Sequence, residues 1–409
     1  MTDKHFVFLQ GMPSPFFSRI ARELAARGCR VTGVNLCFGD WWFWRGGPAV
    51  NYRGSEAGWP EFIGNLFARE GVTDLVLLGE QRSYHKAAIT EAKARGVRVT
   101  VTDFGYLRPD WITLERDGMG GNSLFPRDIA AIRAFGAMAG PVDAVRRYTD
   151  SFWTMARGDM IYSFGNVAAA WLYPGYRRPD KRANPFIYFP AMGLRLLGEG
   201  RRNQQAAADF ARFAARGVPY YLFPLQLQHD FQIVAYSDFD GLEPAIREVL
   251  TSFAQDAPVD THLIVKPHPW DPGLNNWRRV TARIATELGI GERVHYIDGG
   301  SLDDMVGGSR GMVTVNSTSG LRALELGKPL KVLGRALFDI DGLTYQGDLD
   351  RFWTEAEPAA AGDVAAFMRA VAAMIQIRGV YFSEPGLTAA VQAATDRLHR
   401  RAVGILHID

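Results

Sequence analysis

Five short segments of this 409-residue chain hold side chains that can move protons, attack carbon or grip anions. Gln226-Leu227-Gln228-His229-Asp230 offers a carboxylate beside polar neighbours. Such a group can act as a base, as a covalent nucleophile toward an anomeric carbon, or simply as the cap of the next helix. Lys266-Pro267-His268-Pro269 sets an imidazole between two prolines that stiffen its loop; a histidine held this way can donate to a phosphate or protonate a leaving group. Asn316-Ser317-Thr318-Ser319-Gly320 supplies hydroxyls and backbone N–H groups ahead of a helical stretch, which suits an anion site and equally an ordinary cap. Asp103-Phe104-Gly105-Tyr106-Leu107-Arg108-Pro109 pairs an acid with an arginine. That arginine can hold a carboxylate or phosphate by two prongs, or close a structural ion pair. Glu80-Gln81-Arg82, with His85 and Lys86 close behind, is the fifth cluster.

Other chemistries find no support. There is no P-loop, and Gly118-Met119-Gly120-Gly121 lacks the strand–helix setting of a dinucleotide fingerprint. No Asp-x-Asp motif stands out for a divalent metal, Asp303-Asp304 reads as an exposed helix start, and no Ser–His–Asp set is identifiable by spacing. No metal ligand set and no cofactor are expected.

The elements that must position these segments alternate as strand, loop and helix. Continuous apolar runs at 6–9, 31–34, 75–78 and 97–101 form one series. Runs at 219–224, 262–265, 294–297, 312–315 and 330–333 form a second. Buried parallel strands read as such unbroken runs, and alternating βα units imply parallel sheets with right-handed crossovers. In open parallel sheets ligands bind beyond the carboxyl ends of the strands, and all five polar segments sit there. The boundary falls near 205, giving domains over 1–205 and 206–375, with a tail over 376–409. Residues 110–200 are rich in Arg, Pro and Trp and lack strand rhythm. From Gly362 onward the chain looks helical, with Val364, Phe367, Met368 and Val371 on one face.

Composition narrows the class. With 47% hydrophobic residues the chain can build real cores. No stretch of about 18 apolar residues is present, so no membrane-spanning helix is expected. The start, Met1-Thr2-Asp3-Lys4-His5, leads straight into a strand-like run and lacks a signal peptide's apolar core. Two cysteines, Cys29 and Cys37, make no disulfide framework or zinc site, which fits a reducing cytoplasm. A net charge of +2 argues against a nucleic-acid partner. The 25 Phe, 14 Tyr and 10 Trp ask for an explanation.

Several segments are distinctive together: Phe8-Leu9-Gln10-Gly11 with Pro15-Phe16-Phe17, Asn35-Leu36-Cys37-Phe38-Gly39-Asp40-Trp41, and Gly105-Tyr106-Leu107-Arg108-Pro109-Asp110-Trp111-Ile112-Thr113-Leu114-Glu115. Lys266-Pro267-His268-Pro269, Asn316-Ser317-Thr318-Ser319-Gly320 and Gly327-Lys328-Pro329 complete the set. Through them nearly the whole chain resembles the bacterial capsule polysaccharide biosynthesis proteins, specifically the KpsS type of retaining β-Kdo transferase. The resemblance implies an α/β GT-B fold of two Rossmann-like domains facing across a cleft, an N-terminal acceptor domain and a C-terminal donor domain, with the tail packing back on the former. It implies CMP-β-Kdo as donor and phosphatidylglycerol or its lyso form as acceptor. The product would be the first Kdo of the poly-Kdo linker of a capsular polysaccharide.

Residue by residue, the resemblance implies that Asp230 is the nucleophile of a double displacement. His268 would meet the CMP phosphate, and Lys266, Gln228, Asn316, Ser317, Thr318, Ser319 and Gly320 would help bind the donor. Gln10, Arg82, Tyr106 and Arg108 would serve the acceptor side. The family often carries an acidic pair before the glycine where this chain has Asp103-Phe104, so the acceptor's base is Asp103 or Glu80. Expected partners are a KpsC-type transferase, the capsule export complex and the inner face of the inner membrane.

Two rivals remain. A GT-B transferase using CMP-sialic acid or a UDP-sugar would carry similar small motifs, and a non-catalytic capsule-assembly scaffold would need none of the polar strand ends. For membrane contact, Phe16-Phe17, Trp41-Trp42-Phe43-Trp44-Arg45, Tyr176-Arg177-Arg178 and Lys181-Arg182 combine aromatic and basic character suited to anionic lipid. The alternative is that the aromatics lie in the core.

Overall fold

Strands form where apolar residues run unbroken, because a parallel sheet covered on both faces leaves no solvent side for alternation. The structure, a computed structural model, describes residues 4–143, 145–179, 182–228 and 231–406. Along them lie β1 His5–Leu9, β2 Arg30–Asn35, β3 Ala49–Asn51, β4 Asp74–Leu78, β5 Arg98–Phe104, β6 Trp111–Arg116, β7 Tyr220–Pro224, β8 His262–Lys266, β9 Val294–Tyr296, β10 Gly311–Thr314, β11 Leu330–Val332 and β12 Gln376–Arg378. They build two sheets, ordered β12-β6-β5-β4-β1-β2-β3 and β11-β10-β7-β8-β9. All of the second sheet and the first five strands of the first are parallel; β6 and β12 are antiparallel additions at one edge. The chain is α/β with two Rossmann-like units, as a GT-B glycosyltransferase requires.

The first unit comprises Met1–Phe125, Phe135–Asp180 and Met368–Asp409; the second comprises Pro126–Ala134 and Lys181–Phe367. In the first core, Phe8, Phe16, Phe17, Ile20 and Leu24 pack with Leu387, Val391 and Leu398 of the helix Gly386–Arg400. In the second, Phe223, Leu250, Phe253 and Ile284 surround Trp353. Much of the aromatic surplus is thereby spent: Phe16 lies edge-on to Tyr381 at 5.0 Å, and Phe17 edge-on to Phe8 at 5.4 Å. Phe16-Phe17 is core, not a lipid-facing pair. Trp44 is half-buried against Phe8, while Trp41 and Trp42 are exposed.

Three particulars depart from the sequence reading. The chain passes into the second unit at 180/181, not near 205, because the helices Pro185–Leu197 and Glu199–Ala214 attach to the second sheet: Arg195 grips Asp298, and Phe213 lies edge-on to Tyr220 at 5.2 Å. Residues 110–200 do contain a strand, β6. The tail is not wholly helical, for it begins with β12, which pairs with β6 through Gln376↔Thr113 and Arg378↔Trp111. Both strands evade pattern reading because buried polar residues interrupt them: Thr113, Glu115 and Gln376.

Candidate functional site

In the first unit the expected residues stand at the carboxyl edge of the parallel strands. Gln10 follows β1 and is buried, its Nε2 donating to Asp40 Oδ2 and to the Tyr162 hydroxyl at 3.2 Å each. Asp40 sits in the first turn of the helix Phe38–Phe43 and also receives the Leu36 and Cys37 N–H groups and the Tyr162 hydroxyl. Burial pushes its carboxyl above the usual carboxylate range, against the pull of those donors and of the Arg82 charge. Gly39 makes the meeting possible, since a Cβ there would sit 2.2 Å from the Tyr162 ring. Gln10, Asp40 and Tyr162 form the polar wall of a pocket of roughly 370 Å³, counting the open solvent at its mouth; Phe17, Phe43 and Trp44 form the apolar wall. Sequence reasoning named Asp40 only within a family-like segment and missed Tyr162; the helical spacing around Tyr162 carries no signal for it.

Two other clusters occupy the same edge. Asp103, near the end of β5, is half-buried; its charge acts on Arg108, whose guanidinium lies 5.3 Å from the centre of the Phe104 ring. Arg82, half-buried at the start of the helix Ser83–Ala94, acts electrostatically on Asp40 and Tyr162. Glu80 and Tyr106 are taken up by the fold. The Glu80 carboxylate accepts from the Met119 N–H at 3.0 Å and Asn122 Nδ2 at 3.2 Å, while Tyr106 donates to Glu115 at 2.7 Å and accepts from the Gly120 N–H at 2.7 Å. Both therefore fasten the turn at 119–122. His85, fully buried with Nδ1 on the Gly79 carbonyl, has its pKa lowered to about 3 by burial and stays neutral.

Asp110, inside the distinctive segment, has a role the sequence did not suggest. Its fully buried carboxylate accepts from the Arg147 and Tyr148 N–H groups at 2.8 and 3.0 Å and from Arg378 at 2.7 Å. Arg378 also stacks on Trp111, 4.3 Å from the ring centre.

In the second unit, β10, β7 and β8 are consecutive neighbours, so the loops holding Ser317, Gln228 and His268 leave adjoining strands. His229 and Asp230 lie outside the described residues. Gln226 and Asn316 lock the β7 and β10 loops by a reciprocal amide pair: Gln226 Nε2 donates to Asn316 Oδ1 at 2.9 Å, and the Asn316 N–H to Gln226 Oε1 at 3.1 Å. Gln228 accepts from the Leu242 N–H at the start of the helix Leu242–Asp256. Gly320 is a packing glycine, where a Cβ would sit 3.0 Å from Leu330 and Phe338. Lys266 is buried, donates to the Gly299 carbonyl at 2.7 Å and has its pKa lowered by desolvation. These five support the loops instead of projecting from them.

His268 and Ser317 are different. His268 is half-buried, and its Nδ1 accepts from the Trp270 backbone N–H at 3.1 Å. That bond assigns the proton of the neutral ring to Nε2 and makes Nε2 a donor. Ser317 Oγ accepts from the Ser319 N–H at 3.2 Å and hydroxyl at 2.9 Å, which leaves its own O–H to donate outward. Thr318 and Ser319 are half-buried beside it. Hydroxyl and imidazole donors are of the kind that a phosphate accepts from. Among the described residues there is no group of three or more His, Cys, Asp or Glu that could hold a metal. Nor is any helix there long and apolar enough to cross a membrane.

The family described as capsule polysaccharide biosynthesis protein matches residues 73–382. The chain is 32% identical over 357 residues to the capsule polysaccharide export protein KpsS of Escherichia coli, covering 86% of this chain and 90% of that one. It is 30% identical to the capsule polysaccharide modification protein LipB of Neisseria meningitidis serogroup A, covering 93% and 92%. Among solved structures, the β-Kdo 2,7 transferase of KpsC from Thermosulfurimonas dismutans aligns over 96% of this chain and 100% of that one, with a TM-score of 0.46 and 14% identity.

Proposed function

The chain belongs to the capsule polysaccharide biosynthesis family, and we propose that within it the chain is a retaining glycosyltransferase moving Kdo from CMP-β-Kdo to phosphatidylglycerol or its lyso form. It would start the poly-Kdo linker at the inner face of the inner membrane, a KpsC-type transferase would extend that linker, and the capsule export complex would receive the product. The observation that carries the reading is the run β10–β7–β8, from whose adjoining ends leave the hydroxyl loop, the segment leading to Asp230 and the His268 loop.

In this reaction the Asp230 carboxylate attacks the anomeric carbon of Kdo. The bond from that carbon to the phosphate oxygen breaks, and CMP departs with the electron pair. The acceptor hydroxyl, losing its proton to Asp103, then displaces the Asp230 ester. Two inversions leave the β configuration retained. Asp103 is assigned as the base for its place at the end of β5 beside Arg108, while both Glu80 carboxylate oxygens serve the turn at 119–122. Arg82 and Arg108 suit the acceptor's phosphate.

His268 acts here as a hydrogen-bond donor to the leaving phosphate and not as its acid, since protonating Nδ1 would oppose the Trp270 N–H. His268→Gln keeps an N–H donor and should retain activity within roughly tenfold, whereas His268→Ala should lose about 10²–10³-fold in kcat. Equal losses in the two variants would refute the donor role.

The defining test is incubation with CMP-Kdo and lyso-phosphatidylglycerol, read by mass spectrometry. A lipid heavier by one Kdo is expected. Thermal protection by UDP and not by CMP, without a Kdo product, would reject the reading.

A further inference from the structure

The helix Pro185–Leu197 turns an uninterrupted apolar stripe outward. Phe186, Ile187, Pro190, Gly193, Leu194 and Leu197 recur at the spacing of one helical face, and all six are exposed. Relative exposure reaches 64% at Phe186, 56% at Ile187, 73% at Leu194 and 86% at Leu197. The stripe is about 16 Å long at 1.5 Å per residue. A single exposed leucine needs no explanation, but a contiguous stripe without a charge marks a surface that binds something.

Its orientation is fixed from behind. Pro185 and Met192 are buried on the opposite face, and Arg195 on that side holds Asp298 by two contacts, at 2.7 and 3.3 Å. The helix cannot roll to hide its leucines without breaking that pair.

Charge says what the stripe meets. Between residues 177 and 202 the chain carries seven basic and two acidic side chains, Asp180 and Glu199. Arg177, Arg178, Lys181 and Arg182 precede the helix, and Arg201 and Arg202 follow it. The Arg182 guanidinium lies 5.1 Å from the centre of the Tyr188 ring in the first turns. An apolar stripe with bases at both ends and aromatic rings between is the pattern of a helix lying in the headgroup region of an anionic bilayer.

We propose that the helix Pro185–Leu197 is a membrane-docking element that lies flat on anionic lipid, with Phe186, Ile187, Leu194 and Leu197 inserted. The inference deepens the lipid-acceptor reading and rests on it for its purpose, though its test needs no transfer reaction.

The full chain is sedimented with vesicles of phosphatidylcholine and phosphatidylserine, and with phosphatidylcholine alone. Phosphatidylserine supplies charge without being the acceptor, so recognition in the catalytic site does not contribute. Binding to the mixed vesicles is expected, weakened by salt and absent with phosphatidylcholine alone. The double variant Leu194→Glu, Leu197→Glu should bind at least roughly tenfold more weakly, because it removes insertion and adds repulsion. Both side chains face solvent, so the melting temperature should not change; Leu197→Trp, which keeps the stripe apolar, should bind like the wild type. Undiminished binding by the double variant would overturn the proposal. So would equal binding to both vesicle types, or a lower oligomeric mass in light scattering with vesicle binding intact, which would make the stripe a protein interface. Absence of Kdo transfer to dispersed lyso-phosphatidylglycerol by a wild type that sediments with vesicles would instead count against the reaction alone.

Discussion

Replacing Asp230 by alanine should abolish Kdo transfer, with a loss in kcat of about 10⁴-fold or more, as for nucleophiles whose removal leaves no alternative path. Because Asp230 follows the central strand β7 of its sheet in the chain, the neighbouring loops would keep their donors for CMP, and donor affinity should change far less than turnover. A second variant makes the role specific. Asp103→Ala should spare the first displacement and block the second, so the protein incubated with CMP-Kdo alone should gain one Kdo in mass, and digestion should place it on the peptide holding Asp230. Full activity in Asp230→Ala, or an adduct on another residue, would remove Asp230 as the nucleophile while leaving the family assignment untouched.

The second large effect concerns stability. Asp110→Ala should destabilise the first unit by about 3–5 kcal/mol, because it strands the Arg378 guanidinium and two backbone N–H groups that the carboxylate now satisfies. A melting transition lower by on the order of 10 °C is expected. Arg378→Met should also destabilise, and the double variant should cost much less than the two single losses combined, since neither charge is then left alone. A shift of only about a degree in Asp110→Ala would contradict this assignment. So the most recognisable stretch of the sequence owes part of its character to architecture: Asp110, two residues beyond the exposed Arg108, faces inward to hold the sheet edge.

That contrast explains what could be read in advance. The parallel strands other than the three-residue β3 were legible because, like β4, β7 and β8, they carry apolar runs, and their carboxyl ends were where polar residues gathered. What pattern reading lacks is the set of partners that each polar side chain finds within the protein. Lys266, Glu80, Tyr106 and Asn316 look as chemical as His268 and Ser317 in sequence. Only their partners, a carbonyl of Gly299, a turn at 119–122 and the amide of Gln226, reveal them as supports. The antiparallel strands β6 and β12 escaped for a related reason, since their polar positions are buried in pairs, Gln376 Nε2 donating to Thr113 Oγ1 at 3.0 Å.

The pairing of β12 with β6 also carries a consequence for how the molecule is made. A ribosome delivers β6 long before β12, and the whole second sheet emerges in between. During that interval the first sheet has an open, hydrogen-bond-hungry border at β6, and the apolar faces of Ile20 and Leu24 await Leu387 and Val391. The first half to be synthesised is therefore the last to be completed, and a chain interrupted between Phe367 and residue 376 would release a complete second unit joined to an unfinished, adhesive first one. Quality control of this protein is thus written into its strand order: only a chain that has been read through to the closing strand can bury its own beginning.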